Sequence, residues 1–153
     1  MSWLPGTADA ADPFAAVFGL RPNLFAAWRA FASQLWDARL VDPSVLELCR
    51  LRIGQLHGAA CPRAGSAPCA PLEARKRDEL AGWWRSDAYT KTERACLRFA
   101  EQFALDAKGI SDAEAAAVTR ALGDAGTVAF VEALAILDGF ARFARILDVG
   151  ADA

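Results

Sequence analysis

The sequence predicts an all-α fold, and three observations carry that prediction. Alanine dominates an apolar fraction of 54%, β-branched residues are sparse and arginine far outnumbers lysine, a mixture whose side chains lose little entropy on entering a helix. Apolar residues recur at steps of three and four along most of the chain, the period of a helix with one buried face. Helix starts are also written into the sequence. Asp12-Pro13 and Asp42-Pro43 place a capping carboxylate before a proline, while Thr90 to Glu93 and Ser111 to Glu114 read as capping boxes. At 153 residues, the chain suits one domain burying roughly two thirds of its unfolded surface. That domain is expected over residues 12–153 as a bundle of about six or seven helices, with residues 1–11 a loose arm.

Taken in order, Asp12 and Pro13 open a short helix that Gly19 ends near Phe18. Pro22 and Asn23 open a second, in which Leu24, Trp28, Phe31 and Leu35, with Phe25 and Trp36 beside them, form an aromatic face. From Asp42, a third helix carries Val45, Leu48, Cys49, Arg52, Ile53 and Leu56 along one stripe and Glu47 and Leu51 on the adjoining flank, until Gly58 stops it. Pro62, Gly65, Pro68 and Pro71 follow; each proline removes a donor and blocks the preceding turn, so a loop is expected from Ala59 to Ala70. Leu72 to Trp84 resumes helical composition, with Glu73, Arg75, Lys76, Arg77, Asp78 and Glu79 as a solvated face.

The helix capped by Thr90 has Cys96, Phe99, Ala100 and Phe103 on one side and ends near Lys108 and Gly109. The helix capped by Ser111 runs through Val118 and Leu122 to Gly123. A last helix, about Gly126 to Asp148, is apolar on more than one face through residues such as Val128, Phe130, Leu134, Leu137, Phe140 and Ile146. Such a helix is buried on several sides, by its own core or by another subunit, so an oligomer is expected.

Charge and composition exclude several classes. The net charge is −2 and the two signs are interspersed, which provides no nucleic-acid or anionic-membrane surface. No basic n-region precedes an apolar run at the N-terminus, and Asp9 and Asp12 interrupt it, so a cytoplasmic protein without a secretory signal is expected. Glu132, Asp138, Arg142 and Arg145 break up the most apolar segment, which argues against a membrane span. Four cysteines without an export signal read as thiols, redox groups or ligands and not as a disulfide framework. There is no internal repeat, Gly-rich phosphate loop or serine-nucleophile elbow, and no cofactor is assigned.

Reactive side chains concentrate between Asp42 and Pro71, which hold Glu47, the only histidine (His57), and Cys49, Cys61 and Cys69. Glu47 is either a proton acceptor whose pKa burial raises or a helix carboxylate paired with Arg50. His57 is either a general acid/base or a cation at the negative end of a helix dipole. Cys49 and Cys96 fall among apolar neighbours and read as core. Cys61 and Cys69 form a C-x7-C pair able to close a disulfide, or to act as a peroxidatic and resolving couple. His57, Cys61 and Cys69 lack the paired spacing and the fourth ligand of a zinc site, so no metal is assigned. Trp83, Trp84 and the Leu24 to Trp36 face read as core before they read as a ligand pocket.

The segment ELCRLRIGQLHG resembles the helix that precedes the active-site cysteines in the AhpD-like, or carboxymuconolactone decarboxylase, family of small all-helical proteins. WWRSDAYTKTERACLRFAEQFAL resembles that family's Trp followed by an "FT-x-x-E-R-A" helix, and LAILDGFARFARIL its closing "N-G-F-N-R-x-A" helix; together the likeness spans roughly residues 20–149. The resemblance implies an oligomeric AhpD-like bundle, trimer or hexamer, acting on a small-molecule substrate. Glu47 falls on the family's proton-relay glutamate, whereas the two redox cysteines fall on Ala59 and Pro62 and the histidine on Ser66. The leading expectation is a small-molecule enzyme using acid/base chemistry around Glu47, with His57 or Cys61 taking part in proton transfer. A thiol peroxidase with a relocated Cys61/Cys69 pair is one alternative; a catalytically silent ligand-binding or assembly paralogue is the other.

Overall fold

The computed structural model describes residues 4, 10–36, 39–59 and 71–149, and these form helices and connecting turns without a strand. Helix α1 spans Pro13–Phe18, α2 Pro22–Ala32, α3 Pro43–His57, α4 Ala74–Asp78, α5 Lys91–Asp106 and α6 Asp112–Leu147. Three 3-10 turns, Ser33–Trp36, Leu80–Arg85 and Ala107–Gly109, extend or join them.

The local caps form as the sequence predicts. Asp12 accepts from the Ala15 amide and Asp42 from the Ser44 amide, each ahead of a proline whose missing N–H leaves no orphan. Both capping boxes are complete: Thr90 with Glu93, and Ser111 with Glu114. At the end of α3, Gly58 takes a left-handed conformation (φ 60°), and the Ala59 amide reaches back to the Gly54 carbonyl, closing the helix in a Schellman-type turn.

Helices α3, α5 and α6 pack against one another and make the main core. Leu46, Leu48, Cys49 and Ile53 come from α3, Cys96, Leu97 and Ala100 from α5, and Val118, Phe130, Leu134 and Ala141 from α6; all are fully buried. A smaller aromatic cluster joins the N-terminal helices to α6, with Trp28 centred 4.6 Å from Phe140 and 5.1 Å from Phe18.

Two sequence expectations change. The helix expected from Leu72 to Trp84 is instead the short α4 followed by a 3-10 turn, and Gly82 leaves helical geometry there (φ −121°, ψ 29°). The break is held by tertiary bonds, since Tyr89 donates to the Lys76 carbonyl and Arg94 to the Ser86 carbonyl. On α2, Leu24 and Phe31 do not share the buried side; they are half exposed, while Trp28 and Ala32 face the cluster with α1. As the sequence leads one to expect, the helical stretch Asp112–Leu147 is divided at Gly123, which leaves helical geometry (φ 70°, ψ 175°) in a conformation that L side chains resist. Its C-terminal part buries Phe130, Ala133, Leu134, Leu137, Ala141 and Ala144 but leaves Val128 and Ile146 exposed.

Cys49 and Cys96 are free, buried thiols in the core. Burial, and then the proximity of Cys96, pushes the Cys49 thiol well above its ordinary value of 9.0; burial, then Glu93, pushes Cys96 up to about 12. Neutral-pH alkylation is therefore expected to label neither until the protein is denatured. The unfolded chain releases thiol protons from pH 9.0 upwards while native Cys96 keeps its proton until about 12. The stabilisation is complete below pH 9.0 and is lost progressively as pH rises across that window. Urea midpoints of the wild type and Cys96→Ala at successive alkaline pH values check this, because their difference must shrink as pH rises.

Candidate functional site

Helix α3 presents both sequence-predicted residues that the structure describes. Its local sequence, from Asp42 cap to Gly58 stop, gives a straight run in which Glu47 lies in the second turn and His57 is the last residue. Ten residues of helix separate them, a rise of about 15 Å, so the helix holds them at different levels of the bundle.

Glu47 is buried, 4% exposed. The Arg50 guanidinium grips it as a fork, with Nε 2.9 Å from Oε2 and Nη2 2.9 Å from Oε1, and both side chains are almost wholly out of water. The sequence offered a partly exposed i,i+3 salt bridge as the plain reading. The structure replaces it with a largely desolvated, bidentate pair, the stronger, charge-assisted form of such a contact. Arg50 thus engages both carboxylate oxygens of the buried Glu47.

His57 meets a residue that sequence reasoning did not pick out. Its Nε2 lies 2.6 Å from Oδ1 of Asp138, which stands 81 positions away on α6. Asp138 also accepts from Arg142 Nε through Oδ2 at 2.8 Å, and Arg142 Nη2 donates to the Ala104 carbonyl in the last turn of α5 at 2.7 Å. One polar chain thus ties the ends of α3, α5 and α6 together. The His57 and Asp138 side chains are each 14% exposed, close enough to solvent to exchange protons yet mostly desolvated. With Nε2–H donated to the carboxylate, a neutral imidazole presents Nδ1 as an acceptor, the arrangement in which a carboxylate fixes the tautomer and orientation of a base. The signal for Asp138 was present in the sequence as the acidic first position of DGFAR inside an apolar helix.

A second cluster stands beside the first. Glu101 of α5 accepts from Arg52 Nε at 2.5 Å and from the Trp83 indole N–H at 2.9 Å, both on Oε1. The expected core stripe of α3 therefore carries Arg52 outward to a carboxylate while its apolar neighbours stay buried.

Cys61 and Cys69 lie outside the described residues, so the structure gives neither their distance from each other nor their relation to His57. The structure does not bring Glu47 and His57 together, and it adds Asp138 to the latter. The chain matches no protein-family model and no curated protein.

Proposed function

We propose that the chain is an AhpD-like, carboxymuconolactone decarboxylase-like enzyme of small-molecule metabolism, cytoplasmic and homo-oligomeric, that works by acid/base chemistry with His57 as its proton-transfer group. Asp138 is the residue that positions it, and Glu47 with Arg50 is the buried polar strut of the same helix. The observation that carries this reading is the 2.6 Å contact between His57 Nε2 and Asp138 Oδ1. It joins ELCRLRIGQLHG to LAILDGFARFARIL, two of the three segments in which the sequence resembles that family, and the third supplies α5, packed against both.

The test is a turnover screen over small carboxylated lactones and organic hydroperoxides, the two substrate classes the resemblance names, followed by His57→Gln on whichever is turned over. Activity that survives His57→Gln undiminished removes His57 from the chemistry. The oligomeric part is tested separately: light scattering behind size exclusion is expected to give a trimer or hexamer, with exposed Val128 and Ile146 of α6 as candidates for burial, and a monomer contradicts it.

A thiol peroxidase is the second reading, favoured by one observation. His57, already oriented by Asp138, precedes Cys61 by four residues. In that scheme the Cys61 thiolate attacks the peroxide O–O bond, becoming a sulfenic acid as alcohol is released. Cys69 then condenses with it, losing water, and an external thiol reduces the disulfide. Peroxide consumption that is unaffected by Cys61→Ser contradicts this reading without touching the first.

A further inference from the structure

A cleft of about 220 Å³ opens along α5, lined also by the 3-10 turn Leu80–Arg85 and the first turn of α6. Its apolar lining is Trp83, Trp84 and Leu105, and the last two stay 50% and 68% exposed although they are large. The indoles of Trp83 and Trp84 meet edge to face, with centroids 6.3 Å apart. Trp83 is fixed by its bond to Glu101, so Trp84 stands on a rigid base.

The polar lining is unevenly prepared. Glu101 uses only Oε1 for Arg52 and Trp83, which leaves Oε2 without a hydrogen bond among the described residues. Glu114 is locked in place through Oε2, which accepts from the Ser111 amide at 2.9 Å and the Ser111 hydroxyl at 2.8 Å. Its other oxygen, Oε1, has only Arg98 Nη1, at 3.9 Å. Gln102 spends its Nε2 on the Asp106 carbonyl and keeps its amide oxygen as a third acceptor. Two carboxylates and an amide are therefore held in position with oxygens to spare. The single cation of the lining, Arg98, is 66% exposed in its side chain and fixed by nothing closer than that 3.9 Å contact.

Fixed acceptors bind at a lower entropic cost than a mobile donor, and an indole face attracts a cation. Trp84 already shows that preference, since the Arg85 guanidinium carbon lies 5.9 Å from its ring centroid. We propose that this cleft binds a small organic ammonium ion bearing an aromatic or compact apolar group, with the nitrogen between Glu101 and Glu114 and the apolar group against Trp84 and Leu105. The site is independent of the reading of His57.

The experiment pairs two probes of similar shape and opposite charge, 2-phenylethylamine and 3-phenylpropionate, titrated calorimetrically into the full chain. The amine is expected to bind saturably and the carboxylate at least about tenfold more weakly. Glu114→Gln retains the capping box, since glutamine serves there as well as glutamate, so melting is expected to stay unchanged while amine affinity falls about tenfold. Trp84→Ala, at an exposed position, is expected to weaken the amine likewise, and Arg98→Ala to leave it unchanged or tighter. Saturable binding of 3-phenylpropionate as tight as the amine, no saturable amine binding, or unchanged affinity in Glu114→Gln would each overturn the proposal.

Discussion

Arg50→Ala is expected to lower the unfolding free energy by about 1.5–3 kcal/mol, the size associated with hydrogen bonds to a charged group. The substitution removes two charge-assisted hydrogen bonds, both 2.9 Å long, from a carboxylate that is 4% exposed. A control separates this from lost packing. Replacing both residues by leucine removes the two charges together, and a smaller loss than that of Arg50→Ala is expected, because the pair's own desolvation cost goes with it. Urea denaturation of the two variants measures both effects. A loss below about 1 kcal/mol for Arg50→Ala, the range of exposed pairs, would show that the pair is solvated in solution.

His57→Gln is expected to reduce kcat by about 10²–10⁴-fold on the substrate found by the screen, the usual contribution of a positioned general acid or base. Stability is expected to change much less, because glutamine can still donate to Asp138 from the end of α3. Asp138→Asn is the companion measurement. Asparagine keeps the shape and one acceptor but loses the charge that holds both His57 and Arg142. A positioning residue predicts a smaller fall in kcat than His57→Gln gives, with KM little changed. An unchanged kcat in Asp138→Asn would reduce Asp138 to a tie between α3 and α6.

Both predictions concern polar pairs on α3, and the two differ in how far the sequence reveals them. Arg50 follows Glu47 by three residues, a separation that a helix turns into contact, so their pairing is local and was legible. Its burial was not, because burial depends on what α5 and α6 lay over that turn. Asp138 reaches His57 across 81 positions, and helical periodicity states which side of a helix is apolar without stating which partner that side meets. The same gap explains Leu24 and Phe31. Their spacing fits the same buried face as Trp28, yet the aromatic cluster takes only Trp28 of the three, together with Ala32.

The sequence by itself determined the class of fold, the caps of α1, α3, α5 and α6, the stop at Gly58 and the bend at Gly123. Each of these rests on bonds or backbone preferences within about five residues, so the local text contains the whole interaction. Only the tertiary structure decided that Glu47 and Arg50 leave water together, that α4 breaks where Tyr89 and Arg94 pull on it, that His57 meets Asp138, and that Glu101 and Glu114 flank one cleft. Those depend on three helices packing at once, and a contact energy of that kind belongs to no single stretch of chain.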